Sequence, residues 1–381
     1  MVKFFQIKMF NPAEDEIDFE SFVRFSLFCF KGVFLTFNPI SENADLNERI
    51  IRAARTSFTR LCLLAFAVAI MLMFAFSVTT AKNFVEAAAN IPNAVTVLLI
   101  GLKAVSTFSR REEIWSIFED LRGMFATRKG ENVKYKIKEY LDGYHNFIKI
   151  YATVIFFVFV PMIIPVFLFL WKGEMKLPVK YWYPFDPFVT KNYPIAVTWL
   201  DFIAYTCLVF LVATDSLLYS LITVVAMEFD ILTMDFDNLR TLSSIEKIKK
   251  IKSLTERHNK LFGIGEKLQV IYDLTFLYSF VISSLILCFI AFQLASADGS
   301  LEAYSFYVPF LGMIGGQILL LCFYGQKILD SSENVANGVY NCGWEEFDSN
   351  LLKKQFVLII QRSQRPKKLS AMNFAVISLS V

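Results

Sequence analysis

One carboxylate lies deep within an apolar stretch of this 381-residue chain and is the first candidate for chemistry. Asp215 stands within residues 212–219, and an ionisable side chain at membrane depth marks a functional site by default. Asp215 is therefore a candidate to line a water-filled cavity or to carry a proton. The alternative is a carboxyl group satisfied by Thr214, Ser216 or water. Asp201 lies nearer the end of the same stretch and is expected to act as an interface anchor.

The sequence has few residues of the types and spacings that form enzyme active sites or metal sites. There are 2 histidines, His145 and His258, both in charged stretches, and 6 cysteines that form no CxxC pair. The motifs HExxH, GxSxG, GxGxxG and the P-loop are absent. The sequence therefore predicts no enzyme, no cofactor and no metal site.

The composition indicates a membrane protein. Hydrophobic residues make up 55% of the chain and charged residues 19%, and 41 residues are Phe. Soluble domains are less apolar and more highly charged. The net charge of +3 is too close to balance to suggest nucleic acid as a partner.

Apolar stretches long enough to cross a membrane recur along the chain. A spanning helix needs about 20 apolar residues. Six stretches meet this requirement, at about 57–78, 89–109, 148–171, 195–227, 269–294 and 304–327. A seventh begins near Leu369 and runs to Val381. Its 13 residues would make about 20 Å of helix against a hydrocarbon core of about 30 Å, so we expect an incomplete seventh span.

The distribution of basic residues predicts the orientation. The segments 1–60, 110–147, 228–268 and 327–368 hold 31 Lys and Arg, whereas the loops between them hold 5. Because basic loops stay cytoplasmic, the amino terminus is expected inside. We therefore predict an all-α polytopic membrane protein, a seven-transmembrane helical bundle of inverted topology with a cytoplasmic helical anchor region and a truncated seventh helix. The predicted regions are a cytoplasmic region at 1–56, a six-span bundle with a ligand pocket at 57–327, anchor helices at 328–368 and the start of a pore-lining span at 369–381.

The charged segments carry helical patterns of their own. Residues 131–147, 244–268 and 344–366 have apolar residues at helical spacing, which fits either solvated surface helices or helices packed into an intracellular domain. Gly312, Gly315 and Gly316 in the sixth span predict close helix packing, with room for a ligand as the alternative. A G-protein-coupled receptor is excluded by the orientation and by the absence of its Asp-Arg-Tyr and Asn-Pro-x-x-Tyr motifs.

The end of the sixth span resembles a known family. The segment 320–344 reads Leu-Leu-Cys-Phe-Tyr-Gly-Gln-Lys-Ile-Leu-Asp-Ser-Ser-Glu-Asn-Val-Ala-Asn-Gly-Val-Tyr-Asn-Cys-Gly-Trp and is similar to the carboxyl-terminal signature of insect odorant receptors. Residues 356–371, the Tyr-Trp-Tyr-Pro-Phe-Asp-Pro segment at 181–187 and the fifth span at 283–294 continue the resemblance. The motif matches lie mainly after residue 180.

The resemblance implies an odorant receptor subunit that gates a non-selective cation channel. It would bind small volatile apolar odorants and join the odorant receptor co-receptor (Orco) in a heterotetramer, without a G protein, in the plasma membrane of an olfactory sensory neuron dendrite. A gustatory receptor is the alternative within the superfamily, and a polytopic transporter using Asp215 is the alternative from another class.

The resemblance also implies site residues. The odorant would lie in the outer half of the membrane, where the predicted orientation places Asn93, Val97, Phe159, Met162, Phe167, Trp199, Phe202, Tyr205, Tyr304, Phe306, Tyr307 and Phe310. The expected anchor and subunit-interface residues are Tyr340, Trp344, Phe356 and Ile359. The expected pore residues are Phe374, Ile377 and Val381.

Overall fold

The computed structural model describes residues 17–38, 45–82, 84–125, 131–173, 175, 177–242, 244–296, 301–346 and 350–379. Ten α-helices lie in these ranges: α1 Phe19–Gly32, α2 Leu46–Thr79, α3 Phe84–Ala89, α4 Ile91–Ser109, α5 Arg111–Phe125, α6 Glu131–Lys172, α7 Tyr193–Asp237, α8 Ser244–Ala295, α9 Leu301–Asn341 and α10 Asn350–Ser363. Short 3₁₀ helices follow α7 at Asn238–Thr241 and α9 at Trp344–Glu346. Two strands, β1 Ser370–Ala371 and β2 Ala375–Val376, form an antiparallel hairpin.

The six predicted spans are confirmed as helices. Within the described residues, 6 helical segments are long and apolar enough to cross a membrane: Leu46–Thr79, Phe84–Ser109, Val133–Val160, Tyr193–Thr241, Glu246–Ala295 and Ala303–Asn341. The 52 residues of α8 would extend about 78 Å, which far exceeds a hydrocarbon core of about 30 Å. The long helices therefore project beyond the membrane at one end, here called the charged end, where the described residues of 111–147, 228–268 and 327–368 lie. The opposite end, with the described residues of 80–90 and 173–193, is called the loop end.

Helix α7 is the central element of the bundle. Every residue from Phe210 to Phe229 is buried. A helix that is apolar on all sides is stable only when other helices surround it, and α1, α4, α6, α8 and α9 all pack against α7. The core of the molecule therefore follows the axis of α7 from the cavity described below to the charged end.

Helix α1 packs into the bundle beside α7. It begins with a capping box, in which the Ser21 amide donates to the Asp18 carboxylate at 2.9 Å and the Asp18 amide donates to the Ser21 hydroxyl at 3.3 Å. Phe22 and Phe30 on its inner face are fully buried. A segment predicted simply as cytoplasmic thus contributes to the core.

The charged end is ordered by ion pairs and hydrogen bonds. Arg257 of α8 donates to Glu228 and to Asp235 of α7, both at 2.9 Å. Tyr140 of α6 donates to Asp230 of α7, and Asp120 of α5 pairs with Lys267 of α8 at 2.7 Å. Helices are present in the described parts of 131–147, 244–268 and 344–366, the last as Asn350–Ser363. These contacts, together with the 3.1 Å contact between His258 Nε2 and Ser363 Oγ, favour the interpretation in which they pack together.

Close helix packing occurs at other glycines than those predicted. A Cβ atom at Gly312, Gly315 or Gly316 would meet nothing within 4 Å, so the prediction of packing at these positions is wrong. A Cβ at Gly338 would lie 2.7 Å from the backbone oxygen of Thr233 in α7, and one at Gly325 would lie 2.1 Å from that of Ile377. Both positions belong to the carboxyl-terminal signature, so the backbone approach explains why glycine stands there.

The segment after Leu369 differs from the expected helical start of a seventh span. Residues 370–376 form the β1–β2 hairpin, with Met372 and Asn373 at φ of 47° and 61° in its turn. Side chains satisfy its backbone, because Gln269 pairs with both backbone groups of Ser370 and Asp273 accepts from the Met372 amide at 2.6 Å. These side chains of α8 offer hydrogen bonds that a continuing helix would not use.

The predicted pore residues have correspondingly different surroundings. Ile377 is fully buried against Gly325 and Phe374 is 84% exposed. Val381 lies outside the described residues.

Candidate functional site

An apolar cavity opens within the bundle toward the loop end. The space between its lining atoms is ≈ 620 Å³ when the open solvent at its mouth is included. Helices α2, α4, α6, α7 and α9 and the segment after α6 contribute to its wall. The lining residues are Met73, Asn93, Thr96, Val97, Ile100, Val158, Phe159, Val179, Tyr181, Leu200, Ile203, Ala204, Cys207, Phe306, Phe310 and Met313.

Helical periodicity explains how the wall is built. Asn93, Thr96, Val97 and Ile100 follow the i, i+3, i+4, i+7 spacing that defines one face of α4. Leu200, Ile203, Ala204 and Cys207 repeat the same spacing on α7, and Phe306, Phe310 and Met313 follow it on α9. Proline at position 92, in the first turn of α4, fixes the helix start that sets the phase of this face.

A segment of the loop end closes one side of the cavity. Val179 and Tyr181 line the cavity, and the Trp182 amide donates to the Leu72 carbonyl of α2 at 3.0 Å. Asn90 binds both the carbonyl and the amide of Lys180, whose ammonium group pairs with Glu86 at 2.7 Å. These bonds hold the segment against α2, α3 and the start of α4.

Of the twelve residues predicted for odorant binding, five line this cavity. They are Asn93, Val97, Phe159, Phe306 and Phe310. Trp199, Phe202, Tyr205, Tyr304 and Tyr307 do not line it, and Tyr205 and Tyr304 are exposed. The side chains of Met162 and Phe167 lie outside the described part of the chain.

The five predicted residues that do not line the cavity are all aromatic. The predicted residues of α7 are Trp199, Phe202 and Tyr205, whereas the cavity is lined by the adjacent face that begins at Leu200. The signal in the sequence was the aliphatic and small residues at helical spacing, which leave space where aromatic rings would fill it. Val179, Tyr181 and Met73 were missed because contacts between distant segments bring them to the cavity.

A second, polar cavity lies beneath the first, toward the charged end. Its lining includes Lys103, Asp215, Tyr272, Ser279 and Gln317, and its empty volume is ≈ 530 Å³. Lys103 Nζ donates to Asp215 Oδ1 at 2.7 Å, and the two side chains are 11% and 4% exposed. The Tyr272 hydroxyl is buried and has no hydrogen-bond partner within the described part of the chain.

Asp215 is satisfied by partners other than those expected. The hydroxyl of Tyr151 in α6 donates to Asp215 Oδ2 at 2.6 Å, and Gln317 Nε2 of α9 lies 3.4 Å from the same oxygen. Thr214 and Ser216 instead donate to backbone carbonyls of their own helix. Satisfaction by these two neighbours is therefore wrong, and the carboxylate ties α4, α6 and α9 to α7.

The residues of this polar network lie on the same helices as the cavity wall, one to two turns further along. Lys103 lies one turn beyond Ile100 on α4, and Gln317 lies one turn beyond Met313 on α9. Asp215 lies about two turns beyond Cys207 on α7. Helices α4, α6, α7 and α9 therefore contribute both to the apolar cavity and to the network around Asp215.

The predicted anchor residues divide into two groups. Phe356 and Ile359 are 0% and 4% exposed, since the apolar stripe of α10 docks on its own chain. Tyr340 is 67% exposed and remains open to an external contact. Trp344 is partly buried, and its indole nitrogen has no hydrogen-bond partner among the described residues.

Comparison with known proteins gives consistent matches. The family model described as 7tm Odorant receptor matches residues 83–381. Putative odorant receptor 85d of Drosophila melanogaster is 24% identical over 309 residues, covering 78% of this chain and 74% of that protein. Putative odorant receptor 92a of the same organism is 22% identical over 397 residues, covering 97% and 93%.

A solved structure has the same fold. The insect olfactory receptor OR5 from Machilis hrabei, in complex with eugenol, superposes with a TM-score of 0.80 at 16% identity, covering 95% of this chain and 93% of that one. A further structure of OR5 gives a TM-score of 0.76. At this level of identity the likeness shows the fold.

Proposed function

The chain belongs to the 7tm odorant receptor family, and from this membership we propose that it is an odorant receptor subunit that binds small, volatile, apolar odorants in the cavity lined by α4, α6, α7 and α9. As a member of this family it is a multi-pass membrane receptor rather than an enzyme. The observation that carries the proposal is the apolar lining of that cavity.

The energetics of the cavity support an apolar ligand. Burial of apolar surface is worth about 25 cal/mol per Å², and most of the lining side chains are aliphatic or aromatic. Such binding is weakly directional and depends mainly on fit. Phe159, Phe306 and Phe310 supply the largest apolar surfaces in this proposal.

The subunit gates a non-selective cation channel together with the odorant receptor co-receptor (Orco), as a heterotetramer in the plasma membrane of an olfactory sensory neuron dendrite. Tyr340 is available for a subunit contact, since its ring is exposed at the charged end. The segment after Leu369 contributes to the pore region of the assembly. Odorant binding reaches that region through the helices that share the Lys103–Asp215 pair.

The test is odour-evoked current from cells that express the full chain with the co-receptor. A panel of small volatile compounds, with eugenol among them because it is bound in the related OR5 structure, is expected to include activators. Phe310→Ala should raise the half-maximal concentration of an activator by about tenfold or more, since it removes a large buried contact. Leu319→Ala, on an exposed face of α9, is the matched control.

Two results would contradict the proposal. One is the absence of current across the panel while a known receptor responds in the same cells. The other is solute uptake that Asp215→Asn abolishes without any odour ever evoking a current, which would favour a transporter.

A further inference from the structure

Two polar side chains stand unpaired in the wall of the apolar cavity. Asn93 is 9% exposed and Tyr181 is 5% exposed, and both line the cavity. Within the described part of the chain, no hydrogen bond joins the amide of Asn93 or the hydroxyl of Tyr181 to another side chain or to the backbone, and their polar atoms remain open to the cavity.

The neighbouring polar groups are satisfied, which sets these two apart. Thr96 donates to the carbonyl of Pro92 at 2.7 Å, and Thr206 donates to that of Phe202 at 2.8 Å. Asn90, three residues before Asn93, binds the backbone of Lys180. The fold therefore uses these three groups internally, whereas Asn93 and Tyr181 line the cavity.

A buried polar group without a partner is costly, so a ligand that supplies the partner gains affinity. The Asn93 amide offers two donors and a carbonyl acceptor, and the Tyr181 hydroxyl donates or accepts one bond. A ligand carbonyl accepts from both side chains. A ligand hydroxyl donates to Asn93 Oδ1 and accepts from Tyr181.

The absence of charged side chains from the described cavity lining restricts the ligand to neutral molecules. No Asp, Glu, Lys or Arg is among the residues that line the cavity. Lys103 and Asp215 lie about a turn or more deeper and neutralise one another at 2.7 Å. A carboxylate or an ammonium group would therefore lose its hydration without gaining an opposite charge.

We propose that this cavity selects neutral odorants that carry one hydrogen-bonding group, a carbonyl or a hydroxyl, held between Asn93 and Tyr181 while the apolar body packs against the phenylalanines. This inference rests on the proposed function. Asn93 and Tyr181 are specificity-determining residues in it, and Tyr181 depends on the segment that Asn90 holds against the bundle.

The experiment compares matched ligands on the full chain expressed with the co-receptor. Two sets are delivered as vapour: heptan-2-one, heptan-2-ol and heptane, and acetophenone, 1-phenylethanol and ethylbenzene. In at least one set the ketone or alcohol is expected to act at a concentration at least tenfold below that of the hydrocarbon. Asn93→Leu and Tyr181→Phe should each raise the half-maximal concentration of the oxygenated ligands about two- to tenfold, the range for one hydrogen bond.

The hydrocarbon provides the internal reference, because its response should not change in either variant. Thr206→Val is the matched control, since that hydroxyl is bonded within its own helix beside the cavity. Surface labelling checks that each variant reaches the membrane. If Asn93→Leu does not reach it, the response of Tyr181→Phe alone tests the proposed hydrogen bond.

The outcomes separate this inference from the function on which it rests. The proposed ligand class would be overturned if the currents did not distinguish oxygenated ligands from hydrocarbons. It would also be overturned if the ratio of their half-maximal concentrations were unchanged in both variants. Either result would leave the receptor function intact. Silence toward every compound, with a known receptor responding alongside, would overturn both.

Discussion

At the scale of single residues, the Lys103–Asp215 pair shows how the bundle accommodates charge at membrane depth. Both side chains are nearly buried, and Tyr151 supplies a further hydrogen bond to the carboxylate at 2.6 Å. A buried pair recovers its desolvation cost only when its geometry is good and its remaining lone pairs are satisfied. Asp215 meets both conditions, so its presence in an apolar span does not require it to carry protons.

The first prediction concerns removal of one partner. Asp215→Asn or Lys103→Met should lower the free energy of unfolding by about 3–5 kcal/mol, because one charge would remain buried without compensation. The double variant Lys103→Met/Asp215→Leu should recover most of this loss. Denaturant unfolding of the purified protein in micelles measures both effects.

A surface pair gives the control for this prediction. Lys136 and Glu139 lie 3.1 Å apart on α6, with Glu139 54% exposed. Glu139→Gln should change the free energy of unfolding by at most about 0.5 kcal/mol. An Asp215→Asn protein as stable as the wild type would show that the buried pair contributes nothing.

The second prediction concerns His258, which lies before the span predicted at 269–294 and outside the membrane. Burial lowers the pKa of this imidazole from 6.5 to about 4, and the positive charge of Arg362 adds to the effect. Because the folded pKa lies below the unfolded one, the contribution to stability is complete above pH 6.5 and is lost as the pH falls toward 4.

The expected loss at pH 4 is about 2–3 kcal/mol. His258→Gln should flatten this part of the pH profile while keeping a hydrogen-bonding group near Ser363, which the imidazole contacts at 3.1 Å. The measurement is the denaturant midpoint of unfolding of both proteins between pH 7 and pH 4. Identical pH dependence in the two proteins would refute the assignment, since carboxylates titrate in both.

At the scale of elements, glycine positions in α9 show which helix faces are crowded. Gly325 lies where the β1–β2 hairpin meets the helix, and Gly315 lies where an added Cβ meets nothing within 4 Å. The sequence motif alone does not distinguish them, because both are glycines in an apolar helix. The third prediction uses this difference.

Gly325→Ala should destabilise the protein by about 1–3 kcal/mol, because the new Cβ would lie 2.1 Å from the backbone oxygen of Ile377 and would displace the hairpin. Gly315→Ala should be neutral or stabilising by up to about 1 kcal/mol through helix propensity. Thermal unfolding measures the first effect. The rate of tryptic cleavage at Lys367 and Lys368 reports displacement of the hairpin.

Comparison of Gly325→Ala with Gly315→Ala tests whether the hairpin packs against α9. Equal effects of Gly325→Ala and Gly315→Ala on stability and cleavage would mean that the hairpin does not pack against α9. A larger effect at Gly325 in both measurements supports the close approach.

At the scale of the whole molecule, the partition of basic residues predicts the orientation in the membrane. The charged end carries most of the Lys and Arg, while the loop end carries few. Basic segments resist translocation. The fourth prediction is therefore that the charged end and the amino terminus are cytoplasmic.

Epitope tags test this orientation. A tag before Met1 should bind antibody only after the cells are permeabilised, whereas a tag between Phe185 and Val189 at the loop end should bind it in intact cells. Protease added outside intact cells should spare residues 228–268. Cleavage there, or an amino-terminal tag accessible from outside, would reverse the topology.

Local sequence was sufficient to predict the membrane class, the six spans and the family. Spans follow from local composition, because a lipid-facing helix must be apolar over about 20 residues. The carboxyl-terminal signature gave the family from residues that are contiguous in the chain. These properties depend on neighbours in sequence, so no three-dimensional information was needed.

Tertiary structure alone decided which helix face lines the cavity, what Asp215 binds and where the glycines are crowded. A helix in a membrane is apolar on most sides, so hydrophobicity does not reveal how it is rotated. On α7 the cavity is lined by the aliphatic face and not by the neighbouring aromatic residues. The partners of Asp215 lie 112, 64 and 102 residues away in the chain. Such contacts depend on packing between whole helices, and local sequence carries no record of them.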